Sequence, residues 1–150
     1  MNSVRKVLVV DDDAEVRGLL ASAFRQEGLN VDLAGDGREA IDLLSSTQYT
    51  VLVLDLVMPD VDGFAVLEHL QSRNGAAPVV IVISGAEEHI VGKLDPRFVH
   101  GIVRKPFDTL ELASIVVACA EIRGRSAFET MAIAALVAGS PLMAWLSRLP

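Results

Sequence analysis

Three consecutive aspartates, Asp11-Asp12-Asp13, a solitary Asp55, Ser84 and Lys105 each stand just after a short apolar run in this 150-residue chain. Brought to one place, Asp11, Asp12 and Asp55 repel one another unless a cation compensates them. Mg²⁺ suits that task, because it takes oxygen ligands and keeps several waters. One or two carboxylates, a backbone carbonyl and a phosphoryl oxygen can complete its shell. Lys105 adds a point charge able to neutralise a phosphoryl group, and Ser84 adds a short hydroxyl donor. Together these are the parts for phosphoryl transfer to a carboxylate, with metal and lysine countering charge on the transferred group. Asp55 is the best acceptor, since it stands alone after the most central-looking run, Val51-Leu52-Val53-Leu54.

Such residues converge only if the runs lie side by side. Apolar stretches at 7–10, 31–34, 51–54, 79–83 and 99–103 predict strands, and amphipathic segments separate them. The first helix, 14–27, carries Val16, Leu19, Leu20, Ala23 and Phe24 at helical spacing and stops at Gly28. The second follows Gly35-Asp36-Gly37 with Ala40, Ile41, Leu43 and Leu44, and the third follows the 58–63 loop with Phe64, Val66, Leu67 and Leu70. Residues 87–94 allow only a short fourth helix before Asp95-Pro96, and a fifth runs from Thr109 to about Arg123. Five strands alternating with five helices imply an α/β, doubly wound parallel sheet with right-handed crossovers. Ligands in such sheets bind at the carboxyl ends of the strands, at the topological switch point, and the candidate residues lie at strand ends.

Composition narrows the function classes. Twenty Asp+Glu against 13 Lys+Arg give a net charge of -7, which disfavours nonspecific nucleic-acid binding and points to a protein or a cation as partner. A hydrophobic content of 51% excludes disorder for most of the chain. The single cysteine, Cys119, allows no intramolecular disulfide and reads as a small buried hydrophobe, and no zinc-ligand spacing exists. No signal-peptide apolar region precedes Asp11, so a cytoplasmic location is expected. Asp13 reads as an N-cap for the first helix, and His69, His89 and His100 as surface residues.

The acid pair in Val9-Val10-Asp11-Asp12, the acceptor in Leu54-Asp55-Leu56-Val57-Met58-Pro59-Asp60-Val61-Asp62-Gly63, the hydroxyl in Ile83-Ser84-Gly85 and the run Lys105-Pro106-Phe107 occur in one order. The chain here resembles the receiver domain of two-component response regulators, over about residues 4–123. The resemblance implies a flavodoxin-like, CheY-like fold and a stand-alone receiver. It implies that Asp55 takes a phosphoryl group from a phosphohistidine on a sensor histidine kinase or phosphotransfer protein. It also implies that Asp11, Asp12, Asp55 and the Val57 carbonyl hold Mg²⁺, that Lys105 pairs with the phosphoryl oxygens, and that Ser84 moves toward them. Pro106 then follows a cis peptide. Such a protein assists only its own phosphorylation and dephosphorylation and is not otherwise an enzyme. The aromatic switch usual in the family, three residues before the lysine, is Ile102 here.

Residues 1–124 form the expected receiver domain and 125–150 an apolar helical extension with no separate output domain. Positions 130–147 carry no charge, and Gly139-Ser140-Pro141 divides them into a helix of about 127–138 and a short piece around Trp145. This extension reads as a packing or homodimer-forming helix in preference to a membrane contact, and the output as contact with a downstream protein without nucleic acid. Two other functions compete. One is a constitutive interaction module with a degenerate switch. The other is a haloacid-dehalogenase-like phosphohydrolase, which would resemble Asp11-x-Asp13 followed by Thr at position 15, where this chain has Glu15.

Overall fold

An apolar run with no polar alternation is satisfied only in a strand covered on both faces. In the computed structural model, which describes residues 5–85 and 88–123, the three central strands have that character. They are β1 (Lys6–Val10), β3 (Val51–Asp55) and β4 (Val79–Ser84), buried along nearly their whole length. β2 (Asn30–Ala34) and β5 (Gly101–Arg104) are the partly exposed edges. Among the described residues the five strands form one parallel sheet in the order β2-β1-β3-β4-β5, the doubly wound arrangement expected.

Alternate side chains of the strands divide the core into two layers. Val7, Val9, Val53, Ile81 and Ile83 pack with Leu20 and Phe24 of α1 (Ala14–Gln26) and with Leu112 and Val116 of α5 (Thr109–Arg123). Leu8, Val10, Leu52, Leu54 and Val82 pack on the other face with Ala40 and Leu44 of α2 (Gly37–Ser46) and with Val66, Leu67 and Leu70 of α3 (Gly63–Gln71). Cys119 lies in the first layer, and burial pushes its thiol up to about 12. The four longer helices start sharply because an aspartate caps each: Asp13, Asp36 and Asp62 accept from backbone N–H groups of α1, α2 and α3, and Asp108 accepts from Leu110 and Glu111 of α5.

The strand order reverses direction at β1. From β1 the chain moves outward to β2, then crosses back to β3 on the other side, which leaves the switch point between β1 and β3. Val10 pairs in register with Leu54, so Asp11 and Asp55 emerge side by side.

α4 is the short helix expected, a single turn over Glu88–Val91. Two expectations need correction. β5 begins at Gly101, not residue 99. Between α4 and β5 Asp95 gathers a turn, its carboxylate accepting from Arg97 N–H and its carbonyl from Phe98 and Val99 N–H. His100 is not a surface residue: it is 6% exposed, its Nδ1 accepts the Val80 N–H at 2.9 Å, and its own N–H donates to the Val80 carbonyl. The imidazole thus serves as a ladder partner where β5 has not yet begun, satisfying a buried donor. The extension expected at 125–150, with its helix near 127–138 and Trp145, lies outside the described residues. Among the described residues no helix is long and apolar enough to cross a membrane.

Gly63 sets how closely α3 approaches the end of β3. Its N–H donates to the Leu56 carbonyl at 3.0 Å, and a Cβ there would stand 2.5 Å from the Asp55 carbonyl oxygen and 2.7 Å from Leu56 Cα. Helix propensity alone favours alanine over glycine by roughly 0.5–1 kcal/mol, whereas forced overpacking costs about 1–3 kcal/mol. Gly63→Ala is therefore expected to lower the urea midpoint. An unchanged or raised midpoint would contradict the close approach.

Candidate functional site

β1 and β3 deliver two buried carboxylates to the switch point, and the loop after β5 delivers their counter-charge. Asp11 is fully buried (0% exposed), and both carboxylate oxygens are engaged: Oδ1 accepts the Asp13 N–H at 2.9 Å, and Oδ2 accepts from Lys105 Nζ at 3.0 Å. Asp55 is 4% exposed, its Oδ1 accepting the Val57 N–H at 3.2 Å and its Oδ2 accepting from Lys105 Nζ at 3.2 Å. One ammonium thus bridges two carboxylates that lie 94 and 50 residues away in sequence. Lys105 is placed by its own backbone, whose N–H donates to the Ser84 carbonyl at 3.0 Å; the Lys105–Pro106 peptide that follows is cis.

Asp12 stands exposed beside the pair. Carboxylate oxygens of Asp11, Asp12 and Asp55 all lie within 4.8 Å of one another. The donors are all oxygen, two are fixed by hydrogen bonds, and ionised they outweigh the single ammonium. That chemistry fits a hard divalent cation such as Mg²⁺.

The electrostatics follow from burial and proximity. Burial pushes the Asp55 carboxyl above the ordinary carboxylate value; the Lys105 charge opposes this and the Asp11 charge reinforces it. Burial works to lower the Lys105 ammonium, but the hydrogen bond to Asp11 and the charges of Asp55 and Asp11 prevail and hold it above its ordinary value.

The other expected residues border this centre. Ser84 ends β4 at 1% exposure, one residue beyond the Ile83 that pairs in register with Asp55. Val57 follows Asp55 by two residues and is 60% exposed at the rim. Asp13 is an N-cap as expected, its Oδ1 accepting from Glu15 N–H at 2.9 Å. Ile102, half-buried in β5, packs against the layer containing Leu8 and Val82. Sequence reasoning passed over Arg17, whose Nη1 donates to the Asp11 carbonyl at 2.6 Å, and over Gly63. No signal in the sequence marks Arg17, which reads there as one charge among others on the first helix.

Comparison with known proteins agrees with this geometry. The family described as Response regulator receiver domain matches residues 7–117. The Regulatory protein AtoC of Escherichia coli is 32% identical over 116 residues, covering 77% of this chain and 25% of that protein. Response regulator MprA of Mycolicibacterium vanbaalenii is 38% identical over 89 residues, covering 58% of this chain and 38% of that one. The chain therefore spans well under half the length of these curated relatives. Among solved structures, the receiver domain of Francisella response regulator 1452 superimposes with a TM-score of 0.70 at 31% identity, covering 78% of this chain and 97% of its own. Response regulator TrrA of Thermotoga maritima, solved in complex with Mg²⁺-BeF, gives 0.65 at 27% identity, covering 77% and 98%.

The raised Asp55 value fixes the sign of a stability effect. A carboxyl that holds its proton more tightly folded than unfolded penalises the folded state once pH exceeds its ordinary value, and the penalty vanishes below that value, where both states are protonated. In metal-free buffer near pH 7, Asp55→Asn is expected to raise Tm by a few degrees, with the gain shrinking as pH falls toward about 4. Calorimetric scans across that range check it. A variant less stable than wild type at neutral pH would contradict the assignment.

Proposed function

Because the chain belongs to the response regulator receiver domain family, we propose that Asp55 accepts a phosphoryl group from a phosphohistidine of a sensor histidine kinase or phosphotransfer protein, in a Mg²⁺-dependent reaction. The observation that carries this reading is the single Lys105 ammonium within 3.2 Å of Asp55 and 3.0 Å of Asp11, beside Asp12. An Asp55 carboxylate oxygen attacks phosphorus, the P–N bond breaks with its electron pair passing to the imidazole, and an acyl phosphate remains on Asp55. Lys105 exchanges its hydrogen bond to Asp55 for one to the phosphoryl group, and the Ser84 hydroxyl turns to donate to the same oxygens. Asp11, Asp12, Asp55 and the Val57 carbonyl would hold Mg²⁺, which would supply positive charge for the phosphoryl group. Asp13 is assigned no metal contact; its Oδ1 caps α1.

The protein is itself the phosphoacceptor, assisting only its own phosphorylation and dephosphorylation. On this reading it works in the cytoplasm, and the phosphorylated and free forms differ in the surface offered to a downstream protein. Nucleic acid and membrane have no part in the contact, and residues 125–150 are the proposed segment for any homodimer. A second reading, a constitutive interaction module, is favoured by Ile102 in place of an aromatic and by the one-turn α4.

Intact mass after incubation with Mg²⁺ and acetyl phosphate separates the two. One added phosphoryl group is expected, removed by hydroxylamine, absent when Mg²⁺ is chelated and absent from Asp55→Asn. No adduct, from acetyl phosphate or from a sensor kinase, would overturn phosphoacceptance and leave the constitutive module. An adduct retained by Asp55→Asn would overturn the assignment of the acceptor.

A further inference from the structure

Arg17 is a half-buried cation on α1 that faces the loop between β1 and α1. Its Nη1 donates to the Asp11 carbonyl at 2.6 Å, a charge-assisted hydrogen bond. The guanidinium lies against Gly35 at the end of β2: a Cβ at Gly35 would stand 3.2 Å from Nη1 and 3.4 Å from Cζ of Arg17. Gly35 in turn donates its N–H to Glu39 Oε2 at 3.0 Å, and the Asp11 N–H donates to the Ala34 carbonyl at 3.2 Å. Arg17 therefore spans the exits of β1 and β2.

The Asp11 carbonyl lies in the same rigid plane as the Asp12 amide, so fixing that oxygen fixes the direction in which the chain enters Asp12. Asp11 has its carboxylate held by Asp13 N–H and Lys105. Asp12 has nothing comparable: among the described residues no hydrogen bond or ion pair holds its carboxylate, and its position follows from the backbone alone. We infer that Arg17 is a positioning residue that orients the Asp11–Asp12 peptide so that both carboxylates serve one divalent cation, with Gly35 leaving the space in which its guanidinium seats. This deepens the proposed function and rests on the reading of Asp11, Asp12 and Asp55 as a cation site.

The sign of the effect distinguishes positioning from simple charge. Removing a nearby cation strengthens the binding of another cation by Coulomb's law, whereas releasing the loop weakens it. Residues acting on a metal through the residues that ligate it alter affinity by about 10–100-fold when removed, and a hold on one carbonyl places Arg17→Ala near the lower figure, about tenfold weaker.

The experiment counts free Mn²⁺ by electron paramagnetic resonance during titration of the full chain, Mn²⁺ standing for Mg²⁺ as an octahedral oxygen-seeking ion. It compares wild type, Arg17→Ala, Gly35→Ala and the double variant. Weaker binding in Arg17→Ala, a smaller loss in Gly35→Ala, and no further loss from Gly35→Ala in the Arg17→Ala background are expected, because both changes act through one guanidinium. Equal or tighter binding by Arg17→Ala, or by Gly35→Ala where Arg17→Ala does not fold, would overturn the inference while wild-type binding upholds the cation site. Wild type that binds no Mn²⁺ would overturn both.

Discussion

Two carboxylates withdrawn from water within reach of a single ammonium are the constraint on which the rest of the structure turns. Separately, Asp11 or Asp55 would be costly to bury ionised; together they are worse, since each raises the cost of the other. Lys105 makes the arrangement tenable by donating to both, at 3.0 and 3.2 Å. Its hold is incomplete, because burial still pushes the Asp55 proton affinity upward. A site that is short of positive charge, with an exposed Asp12 at its rim, is prepared for a cation and for a group whose charge Lys105 can share.

The topology exists in this chain as a means of delivering those three residues. Paired carboxylates need adjacent strands that end together, which the β1–β3 register supplies with Val10 opposite Leu54. The ammonium comes from further across the sheet, after β5, and is tied back to β4 through the Ser84 carbonyl. Asp13 and Asp62, which cap α1 and α3, hold those helices at the strand ends. Gly63 allows α3 to close against the Asp55 carbonyl, and Arg17 secures the carbonyl of Asp11. The carboxylates and the ammonium are thus held by residues from neighbouring strands and helices as well as from their own loops.

What could be read from the sequence and what could not divide along physical lines. Strand runs buried on both faces, such as Val51 to Leu54, announce themselves by composition, and the acids after them mark the strand ends, so Asp11, Asp55, Ser84 and Lys105 were legible as a set. His100 was not, because its burial goes with tertiary hydrogen bonds to Val80 that no periodicity reports. Gly63 and Gly35 matter for the atoms that a Cβ would meet, and those atoms come from other elements. Arg17 reads in sequence as one more charge on an amphipathic helix. The brevity of α4 was legible, because Asp95-Pro96 follows it too closely for a longer helix.

How far Lys105 counters the buried carboxylate pair is read by following the Asp55 side-chain carboxyl carbon by NMR through a pH titration of metal-free protein. The expected result is a midpoint above the ordinary carboxylate value in wild type and one displaced further upward in Lys105→Met, since the lysine is what restrains it. An Asp55 that titrates at or below the ordinary value, with a midpoint unmoved by Lys105→Met, would contradict it.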